Sequence, residues 1–174
     1  MITKQSELQQ ALQAVLSQSS PLLPKEELHA FVAYYFDRRD RYLQILNEHS
    51  APLYLQDSAV LRARASQLRD AFEAVLPSAG FYYAVKSNNH PDISGTLIEA
   101  GFGLDVSSGI ELEMALNLGA RDIVFSGPGK TASELRLAVS HADRVVILMD
   151  SFGELSRLED IAGRLHTRVR CGVR

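Results

Sequence analysis

Residues 81–88 read Phe-Tyr-Tyr-Ala-Val-Lys-Ser-Asn, an aromatic and aliphatic run that ends on a lysine and passes into a polar turn. Four similar runs follow: LDVSS from Leu104, IVFSG from Ile123, VVILMD from Val145 and RVRCGVR from Arg168. Counted from Tyr82, their starts lie 22, 19, 22 and 23 residues apart. The segments between them, 91–100, 109–118, 131–141 and 151–165, carry apolar residues at helical spacing. Strand, loop, helix and return in about 20 residues is the βα unit, and continuous apolar strands imply a parallel sheet under helices. Ser108-x-x-Glu111, Thr131-x-x-Glu134 and Ser151-x-x-Glu154 each read as a capping box that opens a helix.

Such a run closes either as an open doubly wound sheet or as a barrel. Five strands match a flavodoxin-like sheet in number, whereas a (β/α)8 barrel needs eight strands and about 250 residues. Counting alone favours the open sheet.

Upstream the pattern changes. Asp57 or Ser58 should cap a helix with Leu61, Ala65, Leu68, Phe72 and Val75 inward, stopped by Pro77 and Gly80. Residues 53–56 read as a short extended piece. Residues 1–50 read as two helices. One carries Leu8, Leu12, Val15 and Leu16 on a single stripe after Ser6. The other runs over 25–47 behind Pro24, with Leu28, Phe31, Val32, Tyr35, Phe36, Tyr42, Leu43 and Leu46 on a wide apolar face.

The 174 residues hold 18 Lys+Arg against 21 Asp+Glu, a net charge of −3. Residues 1–50 carry 5 positive and 6 negative groups and the remainder 13 and 15, so no basic face marks a nucleic-acid or membrane-surface partner. The one cysteine, Cys171, excludes an intrachain disulfide and suits a reducing, cytoplasmic setting. The first ten residues hold no apolar signal core, and no charge-free apolar run approaches the ~20 residues of a bilayer span.

Lys86 is the first candidate for chemistry. An amine at the C-terminal end of a parallel strand points to where α/β proteins place their sites, and apolar neighbours would free its nucleophilic form. A solvated lysine at a strand exit is the plain alternative. Gly129-Lys130-Thr131 looks like the end of a phosphate loop, but Val124 stands where that pattern needs its first glycine. The five histidines share no ligand spacing and no metal site is expected. Cys171 alternates with apolar positions and reads as a small buried residue.

The string YAVKSN at 83–88 resembles the cofactor-attachment segment of the fold-type III pyridoxal-phosphate decarboxylases, the alanine-racemase-like superfamily. Pro52-Leu53-Tyr54 resembles the strand leading into that family's barrel. Residues 103–112 (GLDVSSGIEL) resemble its second strand and loop, residues 123–131 (IVFSGPGKT) the third, and Val173-Arg174 the fifth, which bears an arginine. These segments, in order, span 51–174. The resemblance implies a partial TIM-type (β/α)8 barrel of about five βα units over 51–174, behind a helical extension over 1–50.

It also implies roles. Lys86 would attach pyridoxal phosphate and later move protons at the substrate α-carbon, with the cofactor as electron sink. Asp105 would orient Lys86 or the cofactor, unless it only accepts loop N–H bonds. Glu111 matches a carboxylate near the lysine, though its capping box already accounts for it. Arg174 would lie beside the cofactor, unless it is solvated. The family's phosphate loop, its acid facing the pyridine nitrogen and its substrate residues fall beyond these five units, so this chain alone is expected to be inactive. The implied activity is decarboxylation of an amino acid, diaminopimelate-, ornithine- or lysine-like or carrier-bound, by a homodimer or with a complementary chain. The competing reading is a non-catalytic binding protein that pairs with an active homologue.

Overall fold

The order of the strands decides the architecture. In the computed structural model, five parallel strands pair strictly in chain order. They are β1 (Tyr82–Ala84), β2 (Gly103–Val106), β3 (Ile123–Phe125), β4 (Val145–Met149) and β5 (Arg170–Val173). The structure describes Ser6, Glu7, Gln10, Ala11, Gln13, Ala14, Ser17 and residues 24–174. The chain divides into two units, Met1–Leu55 and Gln56–Arg174.

In the first unit the helix expected over 25–47 is two: α1 (Lys25–Asp37) and α2 (Arg39–Glu48). Arg38 interrupts them at φ −103°, ψ 4°. Its N–H donates back three residues to Tyr35 O, while its guanidinium lies 3.6 Å over the Tyr34 ring and donates to Tyr34 O. Periodicity could not register a break whose cause is one side chain folding onto the preceding turn. Neither helix has a buried residue, and Phe31, Tyr35, Leu43 and Leu46 are exposed. The stripe Leu8, Leu12, Val15 and Leu16 lies outside the described residues.

Residues 53–56, at the boundary of the two units, pair with no strand among the described residues, and Tyr54 is fully exposed. Asp57 caps α3 (Ser58–Glu73) by accepting from the N–H groups of Ala59 and Val60. Of the five residues expected inward on this helix, only Ala65 is buried, and Leu68 and Phe72 are half exposed. The other βα helices are α4 (Pro91–Glu99), α5 (Gly109–Asn117), α6 (Ala132–Ser140) and α7 (Phe152–Arg164). Arg62 pairs with Glu99 at 3.2 Å and Arg69 donates to Ala100 O at 2.9 Å, which fastens α3 to the end of α4. Phe72 meets Phe81 edge to face with ring centroids 5.9 Å apart, and Phe81 meets Phe102 at a tilt with centroids 5.6 Å apart.

Alternation along the strands separates two faces. Leu104, Val106, Ile123, Phe125, Val145, Ile147 and Met149 are buried with Leu112, Ala115, Leu135, Ala138, Val139, Leu158 and Ile161 of the helices. The residues between them, Asp105, Val124, Val146 and Leu148, stay partly accessible. The βα helices therefore cover one face. A doubly wound sheet reverses its strand order and takes helices on both faces; sequential order with right-handed crossovers puts them on one. The sheet is an arc of a (β/α) barrel, and the face opposite the helices is its interior.

One expectation is corrected on the β5 flank: Cys171, read as a small buried residue, is exposed, since it lies on the helix-side face of the outermost described strand, where no described residue covers it. On the same flank Leu155 of α7 and Leu165 just past its end are about two-fifths exposed, because no further helix packs there among the described residues.

The loops after β2 and β3 meet backbone to backbone: a Cβ on Gly127 would stand 1.8 Å from Ser107 O. Gly127→Ala must move a loop and is expected to cost about 2 kcal/mol or more, the scale of an overpacked site. Gly129→Ala has open space around its positive φ of 69° and should cost only about 1 kcal/mol. Equal losses of chemical-denaturation stability in the two variants would contradict this packing.

Candidate functional site

In parallel strands every C-terminal end faces the same way, so one rim collects the residues that follow them. Lys86 lies in the 3-10 turn Val85–Ser87 just past β1, Ser126 follows β3, Asp150 follows β4 and Arg174 follows β5. Asp105 is the third residue of the four in β2, one step below the rim. Register places it in a row with Ala84, Val124 and Val146 across the sheet. It is the one carboxylate on that stretch of the interior face.

Lys86 is exposed, and among the described residues it has no hydrogen-bond or ion-pair partner. Its turn is held from below. Val85 is fully buried, Asn88 N–H donates to Val85 O, and the Tyr83 hydroxyl donates to Asn88 O at 3.0 Å. Burial raises the Tyr83 phenol above its ordinary range, so it keeps its proton, and its donor role, at any physiological pH. In the sequence Tyr83 is one strand aromatic among several. Its place three residues before the lysine was the available signal.

Asp105 Oδ1 is buried without a hydrogen-bond partner, so this carboxylate is not spent on loop N–H groups. A buried, unsatisfied acceptor is costly and calls for a donor from outside the described residues. Arg174 is not simply solvated. Its Nε donates to Asp150 Oδ1 at 2.7 Å and its Nη1 to Ser126 O at 3.2 Å, which binds the exits of β3, β4 and β5 together.

Only one of the three expected capping boxes closes on its own cap. Thr131 Oγ1 accepts from Glu134 N–H, and Glu134 Oε2 accepts from Thr131 N–H at 2.8 Å. Glu111 and Glu154 reach one residue further back, to the N–H groups of Ser107 (2.6 Å) and Asp150 (2.9 Å). Two of these glutamates also cross to the preceding loop: Glu134 Oε1 accepts from Gly109 N–H and Glu154 Oε1 from Lys130 N–H. The spacing Ser/Thr-x-x-Glu identifies the helix start but not which loop the carboxylate ties.

An exposed, unpartnered amine beyond β1, an orphaned acceptor on the interior face of β2 and a fixed guanidinium beyond β5 fit a cofactor with an aldehyde and anionic groups. Among the described residues no group of three or more metal-ligating side chains assembles, and no helix is long and apolar enough to cross a membrane.

Comparison with known proteins agrees with this geometry. Residues 59–174 match the family model described as pyridoxal-dependent decarboxylase, pyridoxal binding domain. A diaminopimelate decarboxylase of Campylobacter jejuni is 33% identical over 135 residues, 76% of this chain and 33% of that protein. The L-glutamyl-[BtrI acyl-carrier protein] decarboxylase of Niallia circulans is 34% identical over 71% of this chain and 28% of its own length. Among solved structures, diaminopimelate decarboxylase from Helicobacter pylori complexed with L-lysine superposes with a TM-score of 0.66 at 30% identity, covering 76% of this chain and 33% of that one. The chain thus spans about a third of the length of the curated relatives it matches.

Hydrogen bonds from Thr131 hold the Glu134 carboxyl below its ordinary range, against the opposing effect of burial, and the Gly109 N–H and the Lys130 charge add to them. A carboxyl depressed in the folded state stabilises the protein above its unfolded value, near 4.3, and that stabilisation is lost as pH falls through the folded one. Glu134→Gln should cost about 1 kcal/mol at pH 7, the scale of a lost cap, and flatten part of the acid limb in a urea-unfolding series. An unchanged acid limb would remove this role.

Proposed function

We propose, for a chain that belongs to the pyridoxal-dependent decarboxylases and whose residues 59–174 match their pyridoxal-binding domain, that the complete protein decarboxylates an amino acid at the rim described above. The cofactor of this family is pyridoxal phosphate, and the residues present are suited to it. The observation that carries the reading is an unpartnered Lys86 just past the end of β1 together with an orphaned Asp105 oxygen on the neighbouring strand, two residues along from it in register.

When bound, pyridoxal phosphate supplies the electron sink for the charge left at the substrate α-carbon by loss of carbon dioxide. Everything else falls to the chain. Lys86 Nζ holds the cofactor covalently and moves a proton at the α-carbon. The short turn pinned by Val85 and Tyr83 limits where that amine can reach, which is the positional control such chemistry needs. Asp105 accepts a hydrogen bond from Lys86 or from the cofactor and sets its orientation. Arg174 offers the guanidinium edge left free by Asp150 and Ser126 to an anionic group. The floor of Ala84, Val124 and Val146 is apolar and strengthens each of these interactions by excluding water.

The substrate class follows the relatives: an amino acid of the diaminopimelate, ornithine or lysine kind, or one carried on a protein. The interior face and the outer edges of β1 and β5 want covering, which favours a longer polypeptide, a homodimer or a complementary chain. A cytoplasmic setting agrees with the single, exposed thiol.

Borohydride reduction in the presence of pyridoxal phosphate, followed by peptide mapping, should label Lys86 in the complete protein. Label confined to Lys4, Lys25 or Lys130 would overturn the reading. Residues 1–174 on their own should release no carbon dioxide from these amino acids above background. Turnover at ordinary enzymatic rates, about 1 per second or more, would show that five βα units suffice.

A further inference from the structure

The rim holds a second lysine that the chemistry above does not use. Lys130 and Glu154 are 2% and 1% exposed, the only charged side chains buried to that degree among the described residues. Lys130 Nζ donates to Gly127 O at 2.7 Å and to Leu148 O, and lies 3.5 Å from Glu154 Oε1 and 3.9 Å from Asp150 Oδ2. The Phe125 ring stands 5.1 Å from the ammonium.

The placement of these partners is specific. Gly127 belongs to the loop after β3, Leu148 to β4, and Asp150 and Glu154 to the loop and helix that follow. Glu154 also accepts from Lys130 N–H and Asp150 N–H, so one carboxylate and one ammonium grip both strand exits. Asp150 is the branch point. Its Oδ1 holds Arg174, while its Oδ2 is buried with no hydrogen bond and only the Lys130 charge nearby. Glu154, Lys130, Asp150 and Arg174 form an alternating chain of charge from beneath the loops out to the rim.

We propose that Lys130 is a positioning residue: its buried ammonium fixes the Asp150 carboxylate, and through it the direction in which Arg174 presents its guanidinium. This rests on the reading that the rim takes pyridoxal phosphate, but the positioning itself is a property of the apo chain. A plain stabilising ion pair would hold the fold and leave Arg174 indifferent to its removal. A positioning residue must move Arg174 even when the fold survives.

The experiment follows the Arg174 Nε–Hε resonance in ¹⁵N-arginine-labelled protein without cofactor, assigned by its loss in Arg174→Lys. Wild type should show slow hydrogen exchange at this site, and Asp150→Asn should remove the protection. Replacing the buried pair together, as Lys130→Met with Glu154→Gln, avoids stranding a single charge. In this variant the backbone amide fingerprint should be kept and Arg174 exchange should quicken at least tenfold. Lys130→Gln with Glu154→Gln retains a donor for the carbonyls and should behave the same way. Unchanged Arg174 protection in a folded double variant would overturn the proposal. So would collapse of both doubles, which would assign the ammonium to folding alone. A second arm titrates pyridoxal phosphate in the complete protein: affinity should fall about tenfold in the doubles while borohydride still labels Lys86. Failure of that labelling would count against the functional reading, and the exchange rates would still decide the role of Lys130 by themselves.

Discussion

A parallel strand can return to the next only through a crossover, and right-handed crossovers taken in strict chain order put every helix on the same side of the sheet. That constraint governs the rest of this molecule. It buries Leu104, Ile123, Phe125, Val145 and Ile147 against the βα helices and leaves their alternating neighbours on the face that these helices do not cover. It also brings all five strand exits to one rim. An interior face carrying Asp105 beside a rim carrying Lys86 is a consequence of topology before it is a matter of chemistry.

The rim is then tightened by polar groups rather than by apolar packing. Glu134 and Glu154 each serve their own helix start and the loop of the unit before it, so successive βα loops are tied in sequence. Gly127 lets two of these loops touch backbone to backbone. Arg174 joins three strand exits through Asp150 and Ser126. Against this stiff background the Lys86 turn is fastened only by Val85 and the Tyr83 hydroxyl, with its amine free to engage a ligand. Rigid support under an unpartnered amine is the arrangement that the proposed chemistry requires.

Much of this was legible in the residues. Strand and helix spacing from Tyr82 onward located every βα element to within a few positions, because apolar periodicity is the direct imprint of one-sided burial. The barrel was not legible by counting, which favoured an open sheet; the resemblance of YAVKSN and its companions redirected it, and strand order agrees. The candidate site was visible where a residue type is unusual for its place, as with Lys86 after an apolar strand and Asp105 within one. It was invisible where a side chain's surroundings depend on partners distant in sequence. Lys130 looked like a broken phosphate loop, and its pairing with Glu154, 24 positions on, exists only once β3 and β4 lie side by side. The exposure of Cys171 escaped for the same reason, since it depends on what packs over β5. The break at Arg38 is instead local, one side chain folded onto the preceding turn, which apolar periodicity does not register.

The central claim is that Lys86, poised at the exit of β1, is the point of attachment for pyridoxal phosphate. An absorbance titration of the complete protein with this cofactor tests it most directly. The account predicts a saturable band near the visible region that vanishes in Lys86→Ala, while a matched Lys25→Ala control keeps it. A band of equal strength and affinity in Lys86→Ala would contradict it.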